Sequence, residues 1–194
     1  MTLLLVLSVL GYLCGCVPFG RILMVLFANT QMDSPGTANL PPMVIWQTGR
    51  HRLALAAAAL EMAKCALPTA LAASLCPQPY AAVVVAATCV TAHFFSPLAR
   101  WVPTLGISPV LGGMMVLDFT ATLLAGILWL AVTLSWRRPP LASLCVALAL
   151  PMLMFFNNAK SYELIGAIAC ALVIFATHHK QVARLMKKRE PAWF

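Results

Sequence analysis

The sequence predicts an all-α integral membrane protein of about seven transmembrane helices, with its N-terminus outside and its C-terminus cytoplasmic. Composition is the first reason: 62% of the 194 residues are hydrophobic and only 9% are charged, and mean hydropathy is +0.90. That leaves too little polar surface to cover a water-soluble globule. The second reason is that the apolar residues gather into runs near the roughly 17 to 25 residues that cross a bilayer as helix. The third is that the cations gather in alternate gaps between those runs.

The first run, Leu3 to Phe27, contains "LCGC" at Leu13 to Cys16, which has the form of a lipidation box with Cys16 as the acylated residue. No positive residue precedes the run, however, and "VPFGRILMVLF" prolongs it, which favours an uncleaved first helix. Leu53 to Leu75, Tyr80 to Phe95, Leu117 to Trp136, Leu141 to Phe156 and Leu164 to Thr177 follow, some of them short for a span. Gly106 to Leu117 fits either a short additional helix or a re-entrant segment. Charge favours a crossing. If the segment spans, Arg50, Arg52, Arg100, Arg137, Arg138 and the basic tail fall on one side, and the other keeps Lys160 balanced by Glu163. The positive-inside rule then places the cations in the cytoplasm. The chain reads as a single membrane domain, residues 1–194, ending in a basic cytoplasmic tail, 180–194.

The seven cysteines fall mostly inside the runs, where they read as small apolar packers. Their spacing and that of His178 and His179 form no metal cage, so no metal or cofactor is expected. Glu61 and Lys64 are more informative. An unpaired charge in hydrocarbon costs at least about 2.5 to 3.5 kcal/mol, and three residues apart these two share a helix face and can neutralise one another. Both a structural ion pair and the lining of a substrate pocket fit.

The order of several further segments resembles a family. "GYLCGCVPFGRIL" is similar to the G-Y-L-x-G-S-I-P-F-G that opens the bacterial acyl-phosphate-dependent glycerol-3-phosphate acyltransferases of the PlsY type. "SPGTANLPPMVIWQTGR" stands in the place of that family's glycine-rich G-S-G-N-x-G-A-T-N-x-x-R, and "LEMAKCALPTALA" resembles its L-D-x-x-K-G-x-x-P. "AHFFSPLARW", "RRPPLASL" and "HHKQVARLMKKRE" resemble the later motifs, all in the family's order. The resemblance implies a multi-pass enzyme of the bacterial cytoplasmic (inner) membrane that moves a fatty acyl group from acyl phosphate to glycerol 3-phosphate. Membrane lipids, acyl phosphate or a phosphate-bearing acceptor, and a membrane-protein partner are the implied partners; nucleic acid is not.

Carried over residue by residue, the resemblance points to Asn39, His93, Arg137, His178, Arg184 and Glu190 as matches, with Glu61 and Lys64 at the family's Asp and Lys. His93 or His178 would be the general base, Arg137 and Arg184 anion clamps, and Asn39 an orienting donor. A buried hydrogen-bonded histidine and cations on anionic headgroups are the structural alternatives. Departures are also clear. "WVPTLG", Trp101 to Gly106, replaces F-K-G-G-K-G; Pro140 stands at the family's first serine in its third motif; and Cys16, Lys180 and Gln181 replace Ser, Glu and Asn. Those losses imply altered or lost acyl transfer, the alternative being a catalytically inactive lipid-binding or scaffold subunit. A small transporter would need an internal repeat or a polar stripe through several helices, and neither is evident.

Overall fold

The computed structural model describes residues 1–28, 40–99 and 106–186, and its regular elements there are all helical. The first apolar run is two helices, α1 (Thr2–Cys16) and α2 (Phe19–Ala28), bent by 43° where Pro18 interrupts the backbone ladder. After the short α3 (Pro42–Gln47) come α4 (His51–Leu75), α5 (Ala81–Phe94), α6 (Ser108–Leu117), α7 (Phe119–Trp136), α8 (Pro139–Phe156), α9 (Ser161–Thr177) and α10 (His179–Met186). Proline sits in the first two positions of α3, α6 and α8. There its missing N–H would have no helical partner anyway and its fixed φ starts the helix.

Counting α1 and α2 as one bent segment, seven apolar helical segments lie among the described residues, four of them long and apolar enough to cross a membrane, and a large hydrophobic surface faces outward. Leu55, Leu67, Leu134, Leu148 and Leu172 are all more than 60% exposed, a ring of side chains suited to lipid. The additional segment forms a helix that runs away from the His93 end of the bundle. α6 begins beside the end of α5, where Gly106 approaches His93. It ends at Asp118, whose carboxylate caps α7 and accepts a hydrogen bond from Asn157 at the far end of α8 (2.8 Å). With ten residues, α6 rises only about 15 Å, half a typical hydrocarbon core.

The N-terminal turns of α1 pack on Ala72, Ala81 and Val85, at the end of the bundle where α4 passes to α5. His93, His178 and the first turns of α6 and α8 gather at the opposite end. Arg50, Arg137 and Arg138 lie in the connections of this second end, whereas Lys160 precedes α9 at the first. Between the ends, Phe94, Val110, Met114, Leu150, Met154 and Ile174 form the main core, shared by α5, α6, α8 and α9.

Two helix crossings depend on glycine. A Cβ at Gly15 of α1 would strike the carbonyl of Cys89 on α5, and one at Gly112 of α6 would strike the carbonyl of Met62 on α4. Small residues at membrane crossings let backbones approach and pack in the absence of a hydrophobic drive between helices. The Gly112 contact holds α6 against the turn of α4 that carries Glu61.

Candidate functional site

Three buried polar side chains meet where α4, α5 and the α1–α2 bend converge. The Lys64 ammonium has three acceptors for its three N–H groups: the Glu61 carboxylate at 2.6 Å, His93 Nδ1 at 3.0 Å and the Val17 carbonyl at 2.9 Å. With Nδ1 accepting, the proton of a neutral His93 ring is assigned to Nε2. His93 Nδ1 also lies 3.2 Å from Glu61.

Two prolines prepare this arrangement. Pro18 breaks the helix and leaves carbonyls without ladder partners. Val17 O is taken by Lys64, and Cys16 O by the Ser96 hydroxyl at 3.3 Å. Pro68, inside α4, cannot donate to the carbonyl four residues back, which is that of Lys64. The Cys89 thiol reaches that carbonyl instead, at 3.4 Å. Cys89 also meets the Cys65 thiol (2.6 Å), and Thr69 donates to the Cys65 carbonyl. All seven cysteines are free thiols, and this pair repairs and packs the proline-interrupted turn beneath Lys64.

Beside the triad is a pinhole of about 10 Å³, lined by Leu40, Pro41, Gly106, Ser108 and the two acidic and imidazole groups, Glu61 and His93. Glu61 Oε1 is fully buried, with no hydrogen-bond partner among the described residues. Such an acceptor is a high-energy feature unless a ligand donates to it. Pro41, Pro42, Gly106 and Ser108 also line a much larger cavity of about 370 Å³, whose walls come from α4, α6, α7 and α8. Its lining is almost wholly apolar. The polar pinhole and the greasy groove therefore share one rim.

His178 lies on the groove, just past the end of α9. Its Nδ1 is 2.9 Å from the Ile174 carbonyl, which can only accept, so Nδ1 carries the hydrogen and Nε2 keeps a lone pair when the ring is neutral. Burial pushes its pKa below the ordinary histidine value, partly opposed by the Ile174 contact. Burial thus favours the neutral ring, whose Nε2 can act as a base. Ser143 and Trp129 form part of the wall, the indole N–H donating to Ser143 Oγ (3.2 Å) and Ser143 to the Pro139 carbonyl (3.1 Å).

Of the residues singled out in the sequence, Glu61, Lys64 and His93 come together and His178 joins the groove. The Glu61–Lys64 pair is an ion pair, and Glu61 also belongs to the lining of the pinhole. Arg137 is exposed at the α7–α8 corner, in the left-handed conformation (φ 53°), and does not line either cavity. Arg184 belongs to α10, with its side chain outside the described set; Asn39, Glu190 and the Trp101 to Leu105 stretch lie outside the described residues. Ser108, Ser143 and Trp129 were missed. Ser143 was the findable one, because "RRPPLASL" keeps the second serine of the motif whose first is Pro140.

Residues 5–188 match the family described as glycerol-3-phosphate acyltransferase. The chain is 25% identical to the glycerol-3-phosphate acyltransferase of Syntrophotalea carbinolica, over 98% of this chain and 97% of that one. It is 28% identical to that of Gluconobacter oxydans, over 97% and 92%. Among solved structures it superposes on crystalline PlsY (YgiH), an integral membrane glycerol 3-phosphate acyltransferase in its glycerol 3-phosphate form. The TM-score is 0.87 at 20% identity, covering 97% of this chain and 94% of that one.

Proposed function

Because the chain belongs to the glycerol-3-phosphate acyltransferase family, we propose that it is a membrane acyltransferase that passes a fatty acyl group from acyl phosphate to a hydroxyl of a phosphate-bearing polyol, with altered handling of the donor phosphate. The supporting observation is the shared rim of the Glu61 pinhole and the apolar groove. An acyl chain in the groove brings its carbonyl to Gly106 and Ser108, where an acceptor hydroxyl that donates to Glu61 Oε1 is held alongside.

In this reading the neighbouring hydroxyl of the acceptor attacks the acyl carbonyl. Its proton passes to His178 Nε2, the new ester C–O bond forms, and the bond from acyl carbon to phosphate oxygen breaks to release phosphate. Lys64 holds Glu61 and His93 in place and has no N–H left for substrate. Phosphate charge therefore falls to cations at the same end, Arg137 and Arg184 being the candidates. With "WVPTLG" in place of a lysine- and glycine-rich loop, donor binding is weakened more than acceptor binding. Loss of that loop also favours the second reading, a lipid-binding or scaffold protein that has given up transfer.

Incubation of the purified protein with labelled acyl phosphate and glycerol 3-phosphate separates the two. Turnover with a high KM for the donor, lowered about 10²- to 10⁴-fold in kcat by His178→Ala and also reduced by Glu61→Gln, is expected. No product with any glycerol-phosphate acceptor, together with retained lipid binding, sinks the transfer reading. For orientation in the bacterial inner membrane, a cysteine introduced next to Lys160 is expected to label from outside the cell. Labelling only after the membrane is opened would reverse the topology.

A further inference from the structure

Glycine weakens a helix interior relative to alanine, so a glycine inside a helix calls for a packing reason. Among the described residues, six helical glycines have one: a Cβ at Gly11, Gly15, Gly20, Gly112, Gly113 or Gly166 would press on a neighbouring segment. Gly126 of α7 does not. It lines the apolar groove, and a Cβ there would meet nothing within 4 Å. Its neighbours on the same wall, Leu123, Ile127, Trp129 and Leu130, are all large. Gly126 is thus a notch in a wall of bulky side chains, and a missing side chain lets a ligand lie close against the helix backbone.

The notch stands between the rim and the deep wall. α6 and α7 meet at Asp118, the corner below the groove. Measured along each helix from that corner, Met115 and Leu123 are about 5 and 8 Å away, Gly126 about 12 Å, and Ser108, at the rim, about 15 Å. An acyl chain with its carbonyl at the rim therefore passes Gly126 within its first few carbons, before it reaches Met115 and Leu123.

We propose that Gly126 is the specificity-determining residue of the groove. The notch is the passage by which a long acyl chain reaches the deep wall, and the side chain at this position sets the length of chain that is bound. This rests on the groove's being the acyl site. A side chain that fills the notch leaves room for a short chain at the rim and turns the methylenes of a long one out of the groove, with the loss of their burial.

The test is a binding measurement that needs no turnover. Detergent-solubilised protein is titrated separately with stearoyl and butyryl lysophosphatidic acid, and the bound fraction is read by native mass spectrometry. The unmodified protein is expected to favour the stearoyl lipid. In Gly126→Phe the ratio of the two affinities is expected to fall at least about tenfold, through loss of stearoyl binding, while butyryl binding stays within about threefold of the parent. Gly126→Leu is expected to fall between the two, and it carries the test if the phenylalanine variant does not accumulate. Leu124→Phe, which places the same ring at an exposed position of α7 away from the groove, is expected to keep the parent ratio. An unchanged ratio in the Gly126 variants, or equal loss of both lipids in a variant whose Tm matches the parent, overturns the proposal and leaves the acyl groove intact. Stearoyl binding no tighter than butyryl in the unmodified protein, or no binding of either, overturns the acyl-groove reading as well.

Discussion

Lys64→Leu is expected to destabilise the protein by about 3–5 kcal/mol, because it strands the Glu61 carboxylate in a buried site and leaves the Val17 carbonyl at the α1–α2 bend without its ammonium donor. Thermal unfolding in detergent is the measurement, read as a large fall in Tm beside the parent protein. Replacing both charges, Glu61→Leu with Lys64→Leu, is expected to recover much of the loss, since the most expensive element of the single variant is the uncompensated charge. The double variant stays inactive in acyl transfer. Full stability in Lys64→Leu alone would mean that Glu61 is neutralised by some other group.

Gly112→Val has a comparable effect for a different reason. The new side chain has to displace the α4 backbone at Met62, and backbone cannot rotate away as a flexible side chain can. The α4–α6 contact opens, and with it the rim shared by pinhole and groove. Failure to accumulate in the membrane, or a protein that unfolds at much lower temperature, is the expected result. Gly126→Ala, at a position on α7 with nothing within 4 Å of the added methyl, is the matched control. It should be neutral or gain up to about 1 kcal/mol from helix propensity. Equal behaviour of the two variants would remove the close crossing as an explanation.

Much of the architecture was legible because hydrophobicity and charge act at the scale of whole segments. A crossing by α6 is what the positions of Arg100 and Arg137 relative to Asp118 favour, and the helix itself is present, although ten residues are too few to identify a span by length. The Glu61–Lys64 pair was legible because both partners lie on one helix. His93 as its third member was not, since only the packing of α5 on α4 brings it there. Nor was the work of the two prolines visible, because Pro18 and Pro68 act on carbonyls whose replacement donors, Lys64 and Cys89, are distant in sequence.

The spacing of Glu61 and Lys64 has a consequence for how the chain enters the bilayer. His93 belongs to a later segment, so while α4 is leaving the insertion machinery the histidine is not yet in place. Two opposite charges one turn apart on the same helix cancel without help from any neighbour. The apolar stretch of α4 from Leu53 to Leu75, beyond Arg52, can therefore partition into lipid as a net-neutral unit, and the triad is completed afterwards by lateral association of helices. Had the same two charges been placed on different helices, each would have had to cross the lipid alone, at the full penalty for an isolated charge.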